Sequence, residues 1–273
     1  MNDQQRQMTE MLRKTFDAVS EGYDGKALRF FPLSADHLSG LLGLRGNEQV
    51  LDVACGTGHA TIALARRLPQ GRVTAVDLSP GMLEQARRKT ASAGIGNAEF
   101  LERDMQVPGF AEGSFDVAVC AFGIFFVMDM EAQLARIASM VKPGGRIAIT
   151  TFQDDYFQPL RDRFFGQLSR FSAEDPPQAW KRVATEAGCR QFFASAGLQH
   201  VRVELKNVGY YLAGADEWWD IVWNAGFRRF VARLSAADQE RFKREHLEEI
   251  AMLGTDKGIW LDVNVLFTMG TKQ

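Results

Sequence analysis

Cysteine is scarce in this chain, three residues in 273, and Cys55, Cys120 and Cys189 stand far apart. An odd, scattered set supplies neither a CxxC metal knuckle nor a paired extracellular framework, so a reducing, cytoplasmic setting is expected. Histidine is nearly as rare, at positions 37, 59, 200 and 246. With no HExxH, no cysteine pair and no histidine cluster, no metal site is expected. No run of 18 apolar residues occurs, and the opening MNDQQRQMTEMLRK has no apolar stretch of the signal-peptide kind. A soluble, unprocessed protein with no membrane partner follows as an expectation. A one-sided charge is missing too: Lys+Arg 32 against Asp+Glu 34 gives a net charge of -2. That is too even for gripping a phosphate backbone, and no nucleic-acid partner is expected.

The chain does have a large apolar fraction, 46%, with 25 Gly and 8 Pro spread along it. That balance excludes disordered and collagen-like classes and suggests one large core carrying insertions. Met8, Met11, Leu12, Phe16 and Val19 recur at helical spacing and predict an amphipathic first helix ending near Gly22. From residue 50 to 150, apolar runs of strand length alternate with amphipathic stretches. The runs are Val50 to Ala54, Arg72 to Asp77, Ala98 to Leu101, Phe115 to Ala121 and Arg146 to Phe152. Unbroken hydrophobicity predicts strands covered on both faces, hence a mostly parallel sheet between helical layers. Ser79 before Pro80 predicts a capped helix running to Ala93, and Lys142 to Gly145 a turn into the fifth strand.

Beyond Phe152 the alternation stops. Residues 201–212 read as one strand, Asp216 to Leu234 as one helix, Ser235 to Asp238 as the capping box of another helix, and 259–271 as a last strand. The expected fold is α/β: a seven-stranded, doubly wound, mostly parallel sheet with N-terminal helices and a helical lid insertion. The expected division is an N-terminal helical cap over 1–45, a cofactor-binding core over 46–152, and over 153–273 an aromatic-rich acceptor lid with the last two strands.

Chemistry concentrates where the strand Val50-Leu51-Asp52-Val53 runs into Ala54-Cys55-Gly56-Thr57-Gly58 and a helix follows directly. Gly56 and Gly58 let backbone approach a ligand closely, and Asp52 puts a carboxylate at the same strand end. Asp77, 21 residues after Gly56 (77 minus 56), ends the second strand, where a carboxylate accepts from ribose hydroxyls. The third glycine of a dinucleotide loop is replaced by Thr61, and the acid at Asp52 suits an ammonium better than a phosphate. Both features favour S-adenosylmethionine over a dinucleotide.

LDVACGTG, VTAVDLSPGML, FLERDM, FDVAVCAFGIFFV and VKPGGRIAITTF, in that order and spacing, resemble the successive motifs of class I S-adenosylmethionine-dependent methyltransferases. Over residues 16–152 the chain is most similar to the subgroup of the ubiquinone and menaquinone biosynthesis C-methyltransferases. Ala54 stands where that family most often has glycine, and the region after Phe152 does not look like those enzymes. The resemblance implies S-adenosyl-L-methionine as cofactor and S-adenosyl-L-homocysteine as product. It places Asp52, Ala54, Gly56 and Gly58 around the methionine part and Asp77 with Leu78 at the ribose. Met82 falls under the adenine, Asp104 with Met105 at its amino group, Ala121 and Phe122 beside the sulfonium, and Tyr23 over the cofactor.

No general base is evident; His59, His200 and Tyr23 are the candidates. Ala121-Phe122-Gly123-Ile124 lacks the Asn/Asp-Pro-Pro-aromatic grip on a planar amino group, which argues against base or amide N-methylation. All five Trp follow residue 152, and at 100° per residue Trp219, Trp223, Phe227 and Phe230 share one helical face. With Tyr210, Tyr211 and Phe122 that face is expected to wall an apolar acceptor pocket, unless it only covers the sheet. Arg228, Arg229, Arg233, Arg241, Lys243 and Arg244, interleaved with acids, read as solvated helix faces. The expectation is an enzyme, monomer or homodimer, that methylates a small apolar or aromatic molecule on oxygen or carbon. An NAD(P)-dependent oxidoreductase and a methyltransferase-like regulatory protein stay open as alternatives.

Overall fold

A computed structural model describes residues 3–171 and 178–273. The amphipathic start forms α1 (Asp3–Val19), and α2 (Phe30–Leu41) follows. The alternating half gives β1 (Gln49–Val53), α3 (His59–Ala65), β2 (Arg72–Asp77), α4 (Pro80–Ser92), β3 (Ala98–Glu102), β4 (Phe115–Ala121), α5 (Met130–Met140) and β5 (Val141–Phe152). The remainder forms α6 (Leu160–Leu168), α7 (Glu186–Ser195), β6 (Gln199–Asn207), β7 (Tyr210–Leu212), α8 (Ala215–Asn224) and α9 (Arg228–Val231). It closes with α10 (Ala236–Ala251), β8 (Ile259–Leu261) and β9 (Asn264–Thr271).

The sheet has seven strands in the order β3-β2-β1-β4-β5-β9-β6, parallel except that β9 runs antiparallel to both neighbours. Val117, Ala118, Val119 and Cys120 of β4 have no exposed surface, the condition that made this segment an unbroken apolar run. One face packs α2, α3, α6, α8 and α10, the other α5 and α7. After β3 the chain crosses back to place β4 on the other side of β1, so a crevice opens beyond the carboxyl ends of β1 and β4.

Local signals fix the boundaries. Ser79 Oγ accepts the Met82 amide at 3.1 Å with Pro80 behind it, a cap of roughly 1 kcal/mol. Lys142 to Gly145 bulge from the β4–β5 ladder, because Phe115 pairs Val141 while Val117 already pairs Arg146. The turn is there, but β5 begins before it.

Three expectations for the last third are corrected. Residues 201–212 are two strands in two sheets, as are 259–271: β6 and β9 pair in the large sheet, β7 and β8 in a separate ribbon. Both break at the same level, where the Val208 amide donates to Val263 O at 2.8 Å and Asn207 Nδ2 to Asn264 Oδ1 at 2.7 Å. A Cβ on Gly209 would stand 2.5 Å from Leu261 O, so only glycine lets the strands cross there. The helix expected over 216–234 is likewise two, because Ala225 is extended (φ -132, ψ -164) ahead of Gly226. Trp219, Trp223, Phe227 and Phe230 therefore share no continuous helical face.

Candidate functional site

The crevice holds a cavity bounded by about 720 Å³ of empty space, part of it open solvent. Its floor is the turn after β1. Ala54 (φ +57) and Gly56 (φ +53) both take left-handed backbone, which costs an alanine roughly 1–2 kcal/mol and explains why glycine is the easier residue at position 54. Nothing lies within 4 Å of where a Gly56 Cβ would be, so the turn presents bare backbone to the cavity.

Asp77 closes this turn from β2. Its Oδ2 accepts the Gly56 amide at 2.8 Å and its Oδ1 the Ser79 amide at 2.9 Å. Burial raises its pKa against those bonds. Each carboxylate oxygen has a second lone pair, so two acceptor positions remain. Met82, 1% exposed, and Leu78 form an apolar shelf beside it. Asp104, past β3, accepts the Gln106 amide on Oδ1 at 2.8 Å, while its buried Oδ2 has no partner. Ala121, Phe122 and Met105 complete the wall. An orphaned acceptor, a diol-sized pair of free lone pairs, an apolar shelf and an open backbone turn fit an adenosyl group with an amino-acid tail.

The roof comes from α1, which the sequence did not connect to the site. Thr9, Leu12 and Phe16 line the cavity. Asp17 pins the helix by accepting Ser79 Oγ and, at 3.0 Å, the Gly81 amide, so its carboxylate sits at the amino end of α4, where the helix dipole favours it. Beyond α1, Tyr23 lines the cavity and stacks on Phe31 at 4.9 Å. Burial and the Asp77 charge hold its phenol well above the ordinary value. The neighbouring Asp24 accepts from Thr57 Oγ1 (2.6 Å) and Lys89 Nζ (2.9 Å) and pairs with His59 Nε2 (2.8 Å). Burial pushes its pKa up, but these partners outweigh that and hold it at about 2.

Ten expected cofactor residues line this one cavity; Asp52 and Gly58 do not. Asp52 is fully buried behind the turn, where its Oδ2 accepts Thr61 Oγ1 at 2.5 Å and Oδ1 is unpartnered. Burial pushes its pKa up to about 7. A Gly58 Cβ would meet Ala86 at 3.1 Å, so that glycine serves the packing of the turn on α4. Of the base candidates, His59 is engaged by Asp24 outside the cavity, and His200 is exposed on β6 at the far edge of the sheet.

The expected acceptor wall is also corrected. Tyr210 OH donates to Ala27 O at 2.5 Å beneath Arg29, and Tyr211 is exposed against Trp260. Trp219 stacks with Trp223 and packs on Phe242 of α10, because the break after Asn224 turns α8 onto α10 instead of over the strand ends. The rings that do meet Phe122 are Phe31 (5.4 Å), Phe152 (4.5 Å) and Phe30 (6.5 Å). Among the described residues no group of three or more His, Cys, Asp or Glu is placed to hold a metal ion, and no helix is long and apolar enough to cross a membrane.

Against known proteins, a methyltransferase-domain family matches residues 50–145. Aklanonic acid methyltransferase DauC of Streptomyces sp. (strain C5) is 31% identical over 178 residues, 64% of this chain and 81% of that one. The ubiquinone/menaquinone biosynthesis C-methyltransferase UbiE of Cronobacter sakazakii is 30% identical over 181 residues, 62% of this chain and 70% of the relative. In fold, an N-methyltransferase of Haemonchus contortus solved with S-adenosylhomocysteine superimposes with a TM-score of 0.60 at 17% identity, over 97% of this chain and 60% of that one.

Proposed function

Since the chain belongs to the class I S-adenosylmethionine-dependent methyltransferases, near the UbiE-like group, we propose that it methylates a small, flat aromatic or apolar molecule on oxygen or carbon. The oxidoreductase and regulatory alternatives give way to that family membership. The cofactor, when bound, supplies an activated methyl on a sulfonium, whose transfer in line to the acceptor leaves the C–S electron pair on sulfur.

The chain's own work is positioning. Asp77 accepts the two ribose hydroxyls, Asp104 Oδ2 the adenine amino group, and Met82 and Leu78 pack on the base. Ala54 and Gly56 run along the amino-acid tail, with Asp52 behind them as a buried acid. Tyr23, Phe16 and Leu12 close the roof, and Ala121 and Phe122 border the reacting methyl.

One observation carries the acceptor class. The rings in contact with Phe122 are those of Phe30, Phe31 and Phe152, an apolar aromatic wall. Tyr23, stacked on Phe31, has its phenol pKa raised by burial and stays neutral. A site of rings orients a flat molecule and excludes water, and it suits an acceptor whose own acidity supplies the nucleophile, as in phenols and enols. Well-oriented groups gain on the order of 7 kcal/mol from positioning alone, enough for a nucleophile that needs no strong base. The relatives named for ubiquinone and menaquinone biosynthesis support C-methylation within this class. The test is label transfer from methyl-labelled S-adenosylmethionine to a panel of hydroxylated naphthalenes, quinols and aliphatic alcohols and amines. Labelling confined to the aliphatic compounds overturns the acceptor class.

A further inference from the structure

We infer that Asp24 is a positioning residue for methyl transfer: it ties the segment carrying Tyr23 to the glycine turn, so that the Tyr23 ring stays closed over the bound cofactor. The inference rests on the cofactor site proposed above, with Tyr23 in its roof. That ring lines the cavity, and other rings hold it in place: Phe31 stacks on it at 4.9 Å and 17°, and Phe16 meets it edge-on at 6.3 Å. Both neighbours belong to the same end of the chain, Phe16 to α1 and Phe31 to α2, so neither joins the roof to the turn beneath it.

The join is one residue further on. Asp24 accepts Thr57 Oγ1 at 2.6 Å and Lys89 Nζ at 2.9 Å, and pairs with His59 Nε2 at 2.8 Å. Thr57 stands between the two glycines of the turn, and the Gly56 amide beside it donates to Asp77. His59 opens α3, and Lys89 lies in the last turn of α4. One carboxylate from the roof therefore meets three parts of the α/β core, among them the turn that the cavity exposes. Asp17 gives α1 its own anchor on α4, but it lies ahead of Tyr23, and the segment's backbone bonds are local: the Gly22 amide donates to Val19 O and the Gly25 amide to Gly22 O.

An ion pair on an open surface contributes little. Here the side chains of Asp24, His59 and Lys89 are only 26%, 22% and 27% exposed, and Thr57 is 1% exposed. Lys89 also donates to Thr57 Oγ1 at 3.1 Å, so one hydroxyl and one ammonium share the carboxylate. Burial lowers the Lys89 pKa and Asp24 opposes that shift, so removing the acid leaves a mostly buried ammonium without its counter-charge. The bonds exist only while Tyr23 is over the cavity. A ligand beneath the ring leaves when the segment lifts, and the strength of the tie therefore sets how fast it leaves.

Stopped-flow displacement of S-adenosylhomocysteine from the whole chain tests this in a double-mutant cycle. Asp24→Ala should speed dissociation about tenfold, the effect of losing one partly screened charge-assisted bond, and Asp24→Glu should recover part of the loss. Tyr23→Ala should speed dissociation as well, and adding Asp24→Ala to it should change little more, because the tie then holds no ring. A merely stabilising ion pair would lower Tm and leave the two effects on dissociation additive. Additive effects, or an unchanged rate in Asp24→Ala, overturn the inference. If Asp24→Ala does not fold, Thr57→Val removes the same bond from the other side with little change of shape and should speed dissociation several-fold; an unchanged rate there overturns the inference too. An unchanged rate in Tyr23→Ala takes Tyr23 out of the roof and the inference with it, whereas failure of S-adenosylhomocysteine to bind the wild type overturns the cofactor site itself.

Discussion

Asp77→Asn changes one oxygen into an NH2 group of nearly the same size at the residue proposed to hold the ribose. In the wild type each carboxylate oxygen already accepts one backbone amide, from Gly56 and Ser79, leaving one lone pair on each for a hydroxyl. The amide of asparagine keeps a single acceptor atom, and whichever way it turns its NH2 opposes the backbone N–H of Gly56 or Ser79 and can no longer accept a ribose hydroxyl. Losing one charge-assisted bond is worth about 1.5–3 kcal/mol, or roughly tenfold to 150-fold in dissociation constant. Stability should fall less than the lost amide acceptor suggests, because burial raises the Asp77 pKa and removing the charge returns part of that cost. Asparagine is preferable to alanine here, since alanine would orphan both amides and collapse the Gly56 turn, confusing binding with folding. The assay is titration calorimetry with S-adenosylhomocysteine beside thermal unfolding of the same preparation. A folded Asp77→Asn protein with unchanged affinity would refute the reasoning.

The orphaned Asp104 Oδ2 predicts that Asp104→Asn weakens S-adenosylhomocysteine roughly tenfold but weakens the S-inosyl analogue, which presents an acceptor at the same position, much less; equal losses would contradict the adenine assignment. Trp223→Ala, at a ring stacked on Trp219 away from the cavity, should lower Tm by several degrees and leave S-adenosylhomocysteine affinity and turnover per folded molecule unchanged. A selective loss of turnover would restore Trp223 to the acceptor wall. His246 is fully buried and accepts Trp218 Nε1 at 2.9 Å, and burial lowers its pKa from 6.5 to about 4. The unfolded chain therefore takes up this proton first as pH falls. The stability contributed is full above pH 6.5 and is lost as pH drops from 6.5 toward 4, by up to about 3 kcal/mol. Comparing Tm of wild type and His246→Asn from pH 7 to 4.5 should show the gap between them shrinking in acid; a constant gap would refute it. Asp52, raised by burial to about 7, has the opposite slope over this range, which is why the difference and not the wild-type curve is the observable.

What the sequence revealed and what it hid have physical reasons. β1, β2 and β4 were legible because strands buried on both faces are mostly apolar, with few polar residues such as Asp52 and Thr74, and their ends carry the Gly56 turn and Asp77 as contiguous motifs. The break at Val208 and Val263 was hidden because each is an apolar residue within a stretch that reads as one continuous strand. Its local signals are Gly209 and the polar residues Asn207, Asp262 and Asn264. The tryptophan face failed because helical arithmetic was carried across Gly226, a residue that could have warned of the break. Asp17 and Asp24 were invisible for another reason: their partners lie 62 to 64 positions and 33 to 65 positions away, and long-range pairing leaves no local pattern.

The central claim, that the crevice beyond β1 and β4 holds the methyl donor, is tested most directly by a crystal structure of the complex with S-adenosylhomocysteine. The account predicts the ribose hydroxyls on Asp77, the adenine amino group within hydrogen-bond reach of Asp104 Oδ2, and the sulfur beside Ala121 and Phe122 beneath α1. Electron density for the ligand anywhere else, or an adenosyl group in this crevice turned so that Asp77 touches no hydroxyl, would contradict it.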